Sequence, residues 1–214
     1  MTAITGTRPD SLLPPRIRCD ILFPMKAFST LLFAAATAIV LTYSAQATEE
    51  SVQLSLWAPN IQLRPAESDI RGLRLDIYGQ NHNITGADLG IVGITTGDMN
   101  GFSHQWIYDR IDGEAYGVAL SLILHVSGDS CGVEGGCGAF FEKDFTGICG
   151  GVYSNVAGAM TGLQMGFVNN CNELHGVQFG LVNMATSGRG LQLGFVNIFD
   201  EGIAPVLPFI NFHF

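Results

Sequence analysis

Three stretches near the end of the chain decide its fold: GLQMGFVN at 162–169, GVQFGLVN at 176–183 and GLQLGFVN at 190–197. Their starts lie 14 residues apart, twice in succession. Stepping back by 14 to 16 residues meets weaker copies that begin at Gly147, Gly132, Gly117, Gly101, Gly86 and Gly72. Starts at such even spacing are the mark of a repeat architecture, in which one short unit is stabilised by stacking on its neighbours.

Within a copy the side chains alternate. Leu163, Met165 and Phe167 share one face, and Gln164, Gly166 and Val168 share the other. A period of two is a strand, and the polar or small segments between copies (170–175, 184–189, TTGDMN at 95–100) have the chemistry of turns. The predicted fold is therefore an all-β, single repeat domain of about nine 14–16-residue strand repeats. A parallel β-solenoid is preferred, because every strand carries the same motif and every connection has a similar length. The alternative is an antiparallel β-barrel or meander, supported by the closing PFINFHF at 208–214 with its terminal Phe214.

In a solenoid, equivalent residues stack about 4.8 Å apart. With the apolar face turned inward, Leu163, Val177 and Leu191 form one internal ladder and Met165, Phe179 and Leu193 another. Asn155, Asn169, Asn183 and Asn197 form an Asn ladder at a corner, and Gln164, Gln178 and Gln192 run up the outside. The segments at 52–56 and 209–214 read as caps on the two ends of the stack, which a repeat needs to cover its terminal apolar surface.

Glycine numbers 27 in 214 residues, well above the usual share of about 7%. Without a collagen period this implies many tight turns or close backbone approaches. The formal net charge is −9, and residues 48–214 alone carry 6 basic and 17 acidic side chains, a net of −11. Counterion release from a nucleic acid needs clustered Lys and Arg, so no nucleic acid is expected as a partner. An anionic lipid surface is disfavoured for the same reason.

Residues 27–43 are uncharged and mostly apolar, follow Lys26, and lead to Ala45-Gln46-Ala47. A basic residue, an apolar stretch and an A-x-A site make a secretory signal peptide at 25–47. Residues 1–24 then read as a leader or a mis-assigned start, and residues 48–214 as the β-repeat domain. The protein is expected in the periplasm, at the outer membrane or on the cell surface.

The strings GLQMGFVN, GVQFGLVN and GLQLGFVN, with the opening VQLSLWAPNIQL and the closing PVLPFINFHF, resemble bacterial exported surface-repeat proteins with tandem G-L-Q-x-G-x-V-N repeats. The resemblance covers about 52–214 and implies an envelope location. It implies no activity and no catalytic residue.

Four cysteines follow the leader: Cys131, Cys137, Cys149 and Cys171. In an oxidising compartment they suggest Cys131–Cys137 and Cys149–Cys171 disulfides, with free buried thiols as the alternative. His125 stands near Ser127 and Asp129, but on a turn-like HVSGDS segment that turn chemistry explains better than a catalytic triad. No catalytic, metal or cofactor constellation stands out. The expected function is that of a non-enzymatic envelope protein of structural or interaction type, self-association included, with a small outer-membrane barrel or pore as the alternative.

Overall fold

The computed structural model describes residues 52–214, so the segments read as leader (1–24) and signal peptide (25–47), and Cys19 with them, lie outside the described residues. The elements are all strands: β1 Val52–Trp57, β2 Ile61–Gln62, β3 Ile70–Asn81, β4 Ile84–Thr95, β5 Met99–Ile111, β6 Ala115–Val126, β7 Ser130–Phe141, β8 Phe145–Phe199 and β9 Val206–His213. They form one sheet in the order β2-β1-β3-β4-β5-β6-β7-β8-β9. β1, β3 to β7 and the start of β8 pair in parallel. The fold is a parallel β-solenoid, and the parallel register removes the antiparallel barrel.

The repeat glycines set the register. Gly72, Gly86, Gly101, Gly117, Gly132 and Gly147 lie opposite one another on successive strands. Each is a corner where the chain bends. Gly86 shows why no other residue fits: its φ is 136°, and a Cβ there would lie 2.1 Å from the Gly72 carbonyl oxygen. β8 is a single strand of 55 residues that carries the last copies around the stack. Its final turn departs from the pattern, because the positive φ falls at Gly188 and not at Gly190.

Five positions per coil face inward. In β3 they are Ile70, Arg74, Asp76, Gly79 and Asn81. The register extends each into a row. The Ile70 row continues through Ile84, Met99, Ala115, Ser130 and Phe145, and the Asn81 row through Thr95, Ile111, Val126, Phe141 and Val156. These two rows form the apolar core beneath the turns, where the Phe141 and Phe145 rings stand 4.8 Å apart.

The other three inward rows are polar or small except at Leu124, and here the expected orientation of the repeat is overturned. Gln164, Gln178 and Gln192 are fully buried, while Met165 and Phe179 are exposed and Leu163, Val177 and Leu191 are half-buried. The copies therefore turn their amides in and their apolar side chains out. Parallel stacking makes this possible. Gln178 Nε2 donates to Gln164 Oε1, and Gln192 Nε2 donates to Gln178 Oε1, both at 2.8 Å. The same nitrogens reach across the coil to the Met184 and Ile198 carbonyls at 3.1 and 3.0 Å. Asn169 donates to Asn183, and Asn183 to Asn197, at 2.8 Å. A buried amide costs little when it is bonded, and an in-register stack bonds each one to its own kind. The small residues Gly166, Gly180 and Gly194 share this inward face and leave the amides room.

The Asn ladder thus exists at Asn169, Asn183 and Asn197, but Asn155 is not part of it. Ser154 occupies the inward position in that coil, and Asn155 accepts a bond from Asn170 at 2.6 Å. The ends are closed as expected. β1 begins the stack and is covered by β2, while β9 runs antiparallel along the last coil with Asn211 opposite Gln192. Turns that carry Asp stack too: Asp98 Oδ1 accepts from the Glu114 amide at 2.9 Å, and Asp144 Oδ1 from the Ala159 amide at 2.8 Å.

Candidate functional site

Alternation that sends polar side chains in sends their neighbours out. Leu75, Leu89, His104, Leu120, Gly135 and Gly150 follow one another up one outer row, and Met165, Phe179 and Leu193 hold the same place in the later copies. Beside it run Tyr78, Val92, Tyr108, Ile123, Gly138 and Tyr153. Between these rows stand Ile77, Ile91, Leu122, Val152, Phe167, Leu181 and Phe195, all exposed, Phe195 at 66%. No Asp, Glu, Lys or Arg occupies these rows. The exposed acids crowd instead onto the turns on the far edge, at Asp98, Glu114, Asp129, Glu142 and Asp144.

The result is a solenoid with one broad, uncharged, apolar outer face and one acidic edge. Rungs about 4.8 Å apart make the face roughly 40 Å long, and about six residues of strand make it up to 20 Å wide. A typical soluble monomer exposes no apolar patch beyond about 300–600 Å².

The face is interrupted once, in the middle. The copy at Gly101 holds an extra residue, and the ladder slips between Gln105 and Tyr108. This bulge thrusts Trp106 outward to 73% exposure. Two and three rungs further on, Gly135 and Gly150 stand where the row otherwise carries Leu, His, Met or Phe. The missing side chains leave a trough of about 480 Å³, walled by Trp106, Leu120, Leu122, Ile148 and Met165.

Behind the face, the interior of the first coils is ionic. Arg74 is fully buried and grips Asp88 with two bonds, Nε to Oδ1 at 2.7 Å and Nη2 to Oδ2 at 2.6 Å. Nη1 donates to the Ile94 carbonyl at 3.0 Å. Asp76 Oδ2 lies 3.1 Å from Arg74 Nε but has no hydrogen bond. Ser103 Oγ donates to Asp109 Oδ2. One guanidinium thus serves three carboxylates. Burial, then repulsion from Asp88, pushes Asp76 up to about 8 and Asp109 up to about 7, against the pull of Arg74. Glu134, further along the same inward row as Arg74, is raised well above its ordinary value by burial. Among the described residues, no group of three or more His, Cys, Asp or Glu is disposed to hold a metal ion.

The cysteines do not pair as expected. Cys137, Cys149 and Cys171 are free thiols. Cys137 is on the outer face, whereas Cys131 precedes the Gly132 corner, on another side of the coil. Cys149 belongs to the inward Arg74 row and Cys171 to the apolar Asn81 row, so the interior separates them. Cys149 Sγ instead bonds Ser154 Oγ at 2.9 Å. His125 faces Glu142 across the turn at 3.0 Å, not Ser127 or Asp129.

Sequence reasoning missed the outer face because it assigned those residues to the core. The signal that could have found it is the inward position held by Asp76 in β3, which carries Gly90, Gln105, Ser121, Gly136, Gly151, Gly166 and Gly180 in later copies. From Ser121 onward, residues that small in each copy mark the crowded side. Compared with protein families, curated proteins and solved structures, the chain matches none.

Proposed function

We propose that this is a non-enzymatic, exported protein of the cell envelope that docks by its apolar outer face onto the lipid of a membrane, with its acidic edge toward water. One observation carries the reading: an apolar, charge-free face runs the length of the stack and backs onto a hydrogen-bonded polar interior. Apolar outside and polar inside is the pattern of proteins that meet hydrocarbon. The secretory signal peptide read at 25–47 supports the compartment. The net acidity supports a neutral lipid surface over an anionic one. A pore is not proposed, because the stack is parallel and its interior is filled by bonded side chains.

Flotation with neutral phosphatidylcholine vesicles tests this. The protein is expected to float with the vesicles, with little dependence on salt. Phe167→Lys combined with Phe179→Lys, both at exposed positions, is expected to abolish flotation and keep the β-sheet spectrum. A wild-type chain that stays with the soluble fraction overturns the reading. So does a stable dimer that hides the face from vesicles, which would assign it to a second copy.

A further inference from the structure

The trough in the outer face is built by specific residues. Along one row the side chains read Leu89, His104, Leu120, then Gly135 and Gly150, then Met165 and Phe179. From Leu120 to Met165 the row climbs three rungs, about 14 Å at the usual strand spacing. Val133 and Ile148 flank it on one side, and Leu122 and Cys137 on the other. The trough is therefore long in the stacking direction and about one side-chain row wide. Its volume of about 480 Å³ is within the range of small-molecule sites.

Nothing charged opens into it. Glu134 lines the floor, but its carboxylate oxygens are shut off from solvent in the interior. Trp106, lifted by the bulge, overhangs one end and offers a flat apolar surface. A narrow, uncharged, elongated trough suits an extended alkyl chain better than a compact ring or any ion.

We infer that the trough between Leu120 and Met165 is a binding site for a single extended alkyl chain, such as that of a lipid or a long-chain alcohol. The inference rests on the outer face being a lipid-docking surface and names the part of the lipid that the centre of that face takes.

The structure supplies a variant that fills the trough without disturbing the fold. A Cβ on Gly150 would meet only the Met165 carbonyl oxygen, at an ordinary 3.4 Å, whereas one on Gly135 would collide with the Gly150 oxygen at 2.2 Å. Gly150→Leu therefore restores the Leu seen elsewhere in the row. The reporter is Trp106 in a Trp57→Phe background, since the chain has 2 tryptophans. The probe is a neutral long-chain alcohol brominated in its chain, because bromine quenches tryptophan fluorescence at contact.

Saturable quenching of Trp106 is expected, and Gly150→Leu is expected to weaken it at least tenfold while still floating with phosphatidylcholine vesicles. Equal saturable quenching in both proteins, or quenching that never saturates in either, overturns the inference. Saturable, Gly150-dependent quenching in a protein that does not float sinks the membrane reading and leaves the alkyl site standing.

Discussion

Replacing Gln178 by Leu tests the orientation of the whole repeat. Gln178 is fully buried. Its Nε2 serves Gln164 Oε1 at 2.8 Å and the Met184 carbonyl at 3.1 Å, and its Oε1 accepts from Gln192 Nε2 at 2.8 Å. Gln192 Nε2 keeps the Ile198 carbonyl at 3.0 Å, so two oxygen acceptors, Gln164 Oε1 and the Met184 carbonyl, lose their partner, as does the weak acceptor Cys171 Sγ, 3.3 Å from Gln178 Nε2. Each orphaned buried group costs about 1–3 kcal/mol. The leucine side chain recovers about 1.5–3 kcal/mol by burial. The net expectation is a loss of roughly 2 kcal/mol. Phe179→Gln, at a position 59% exposed, is the control, and its expected cost is about 1 kcal/mol or less. Urea unfolding followed by circular dichroism gives both midpoints, compared at constant slope. An inward apolar face makes the opposite prediction: Gln178→Leu neutral, and Phe179→Gln costing about 3 kcal/mol or more. Finding that order refutes the polar interior.

Arg74→Met strips Asp88 of its bidentate partner inside the stack, and a loss of about 3–5 kcal/mol is expected by the same urea assay. A loss below about 1 kcal/mol would mean that the ion pair is open to water. Stability is also expected to fall as pH rises. Asp76 and Asp109 titrate near 8 and near 7 when folded, above the usual value of about 4 in an unfolded chain. The folded state thus holds extra protons between these limits, so the contribution of these two carboxyls to the unfolding free energy declines from about pH 4 to about pH 8. Asp109→Asn should remove the part of the slope that ends near pH 7, and a midpoint that rises with pH contradicts the assignment. Thiol chemistry is expected to sort the cysteines. Burial pushes Cys149 and Cys171 up to about 12, so an aromatic disulfide reagent should modify exposed Cys137 at once and these two only as the chain unfolds. Immediate reaction of Cys149 would place it outside the stack.

Much of the fold was legible because glycine spacing is a geometric constraint. A corner that needs φ near 136° and has a carbonyl 2.1 Å from any Cβ admits only glycine, so Gly86 and its equivalents stand out from the sequence. The capping strands were legible because β9 lacks the repeat and ends in aromatic residues. The facing of the repeat was not legible. Alternation fixes which residues share a side, but it says nothing about which side is inside. The choice was made by assuming that Phe167 and Phe179 seek the core, whereas the amide stacks at Gln178 and Asn183 decide it. Asn155 was misplaced because it stands eight residues after Gly147, whereas the ladder position lies seven after the glycine and is held there by Ser154. The trough was visible only as missing residues, Gly135 and Gly150, inside copies that looked degenerate.

A polar interior changes what such a stack asks of its surroundings. In most repeats the apolar rows bury one another and the outside is free to be polar. Here the two rows under the turns, from Ile70 to Leu174 and from Ile111 to Phe199, are the main apolar core. The Gln and Asn rows of the later coils bond along the stack, which fixes register more than it supplies driving force. The remaining apolar side chains, Phe167, Phe179, Leu181 and Phe195 among them, are left against solvent. Water penalises that face in proportion to its area, and no arrangement of the coil removes the penalty, because turning those residues inward would expose and unpair the amides. The stack reaches its lowest free energy only when something apolar covers the face. The architecture therefore couples folding to exposure: the hydrogen bonds that build the ladder also create the apolar surface that the proposed lipid docking would cover.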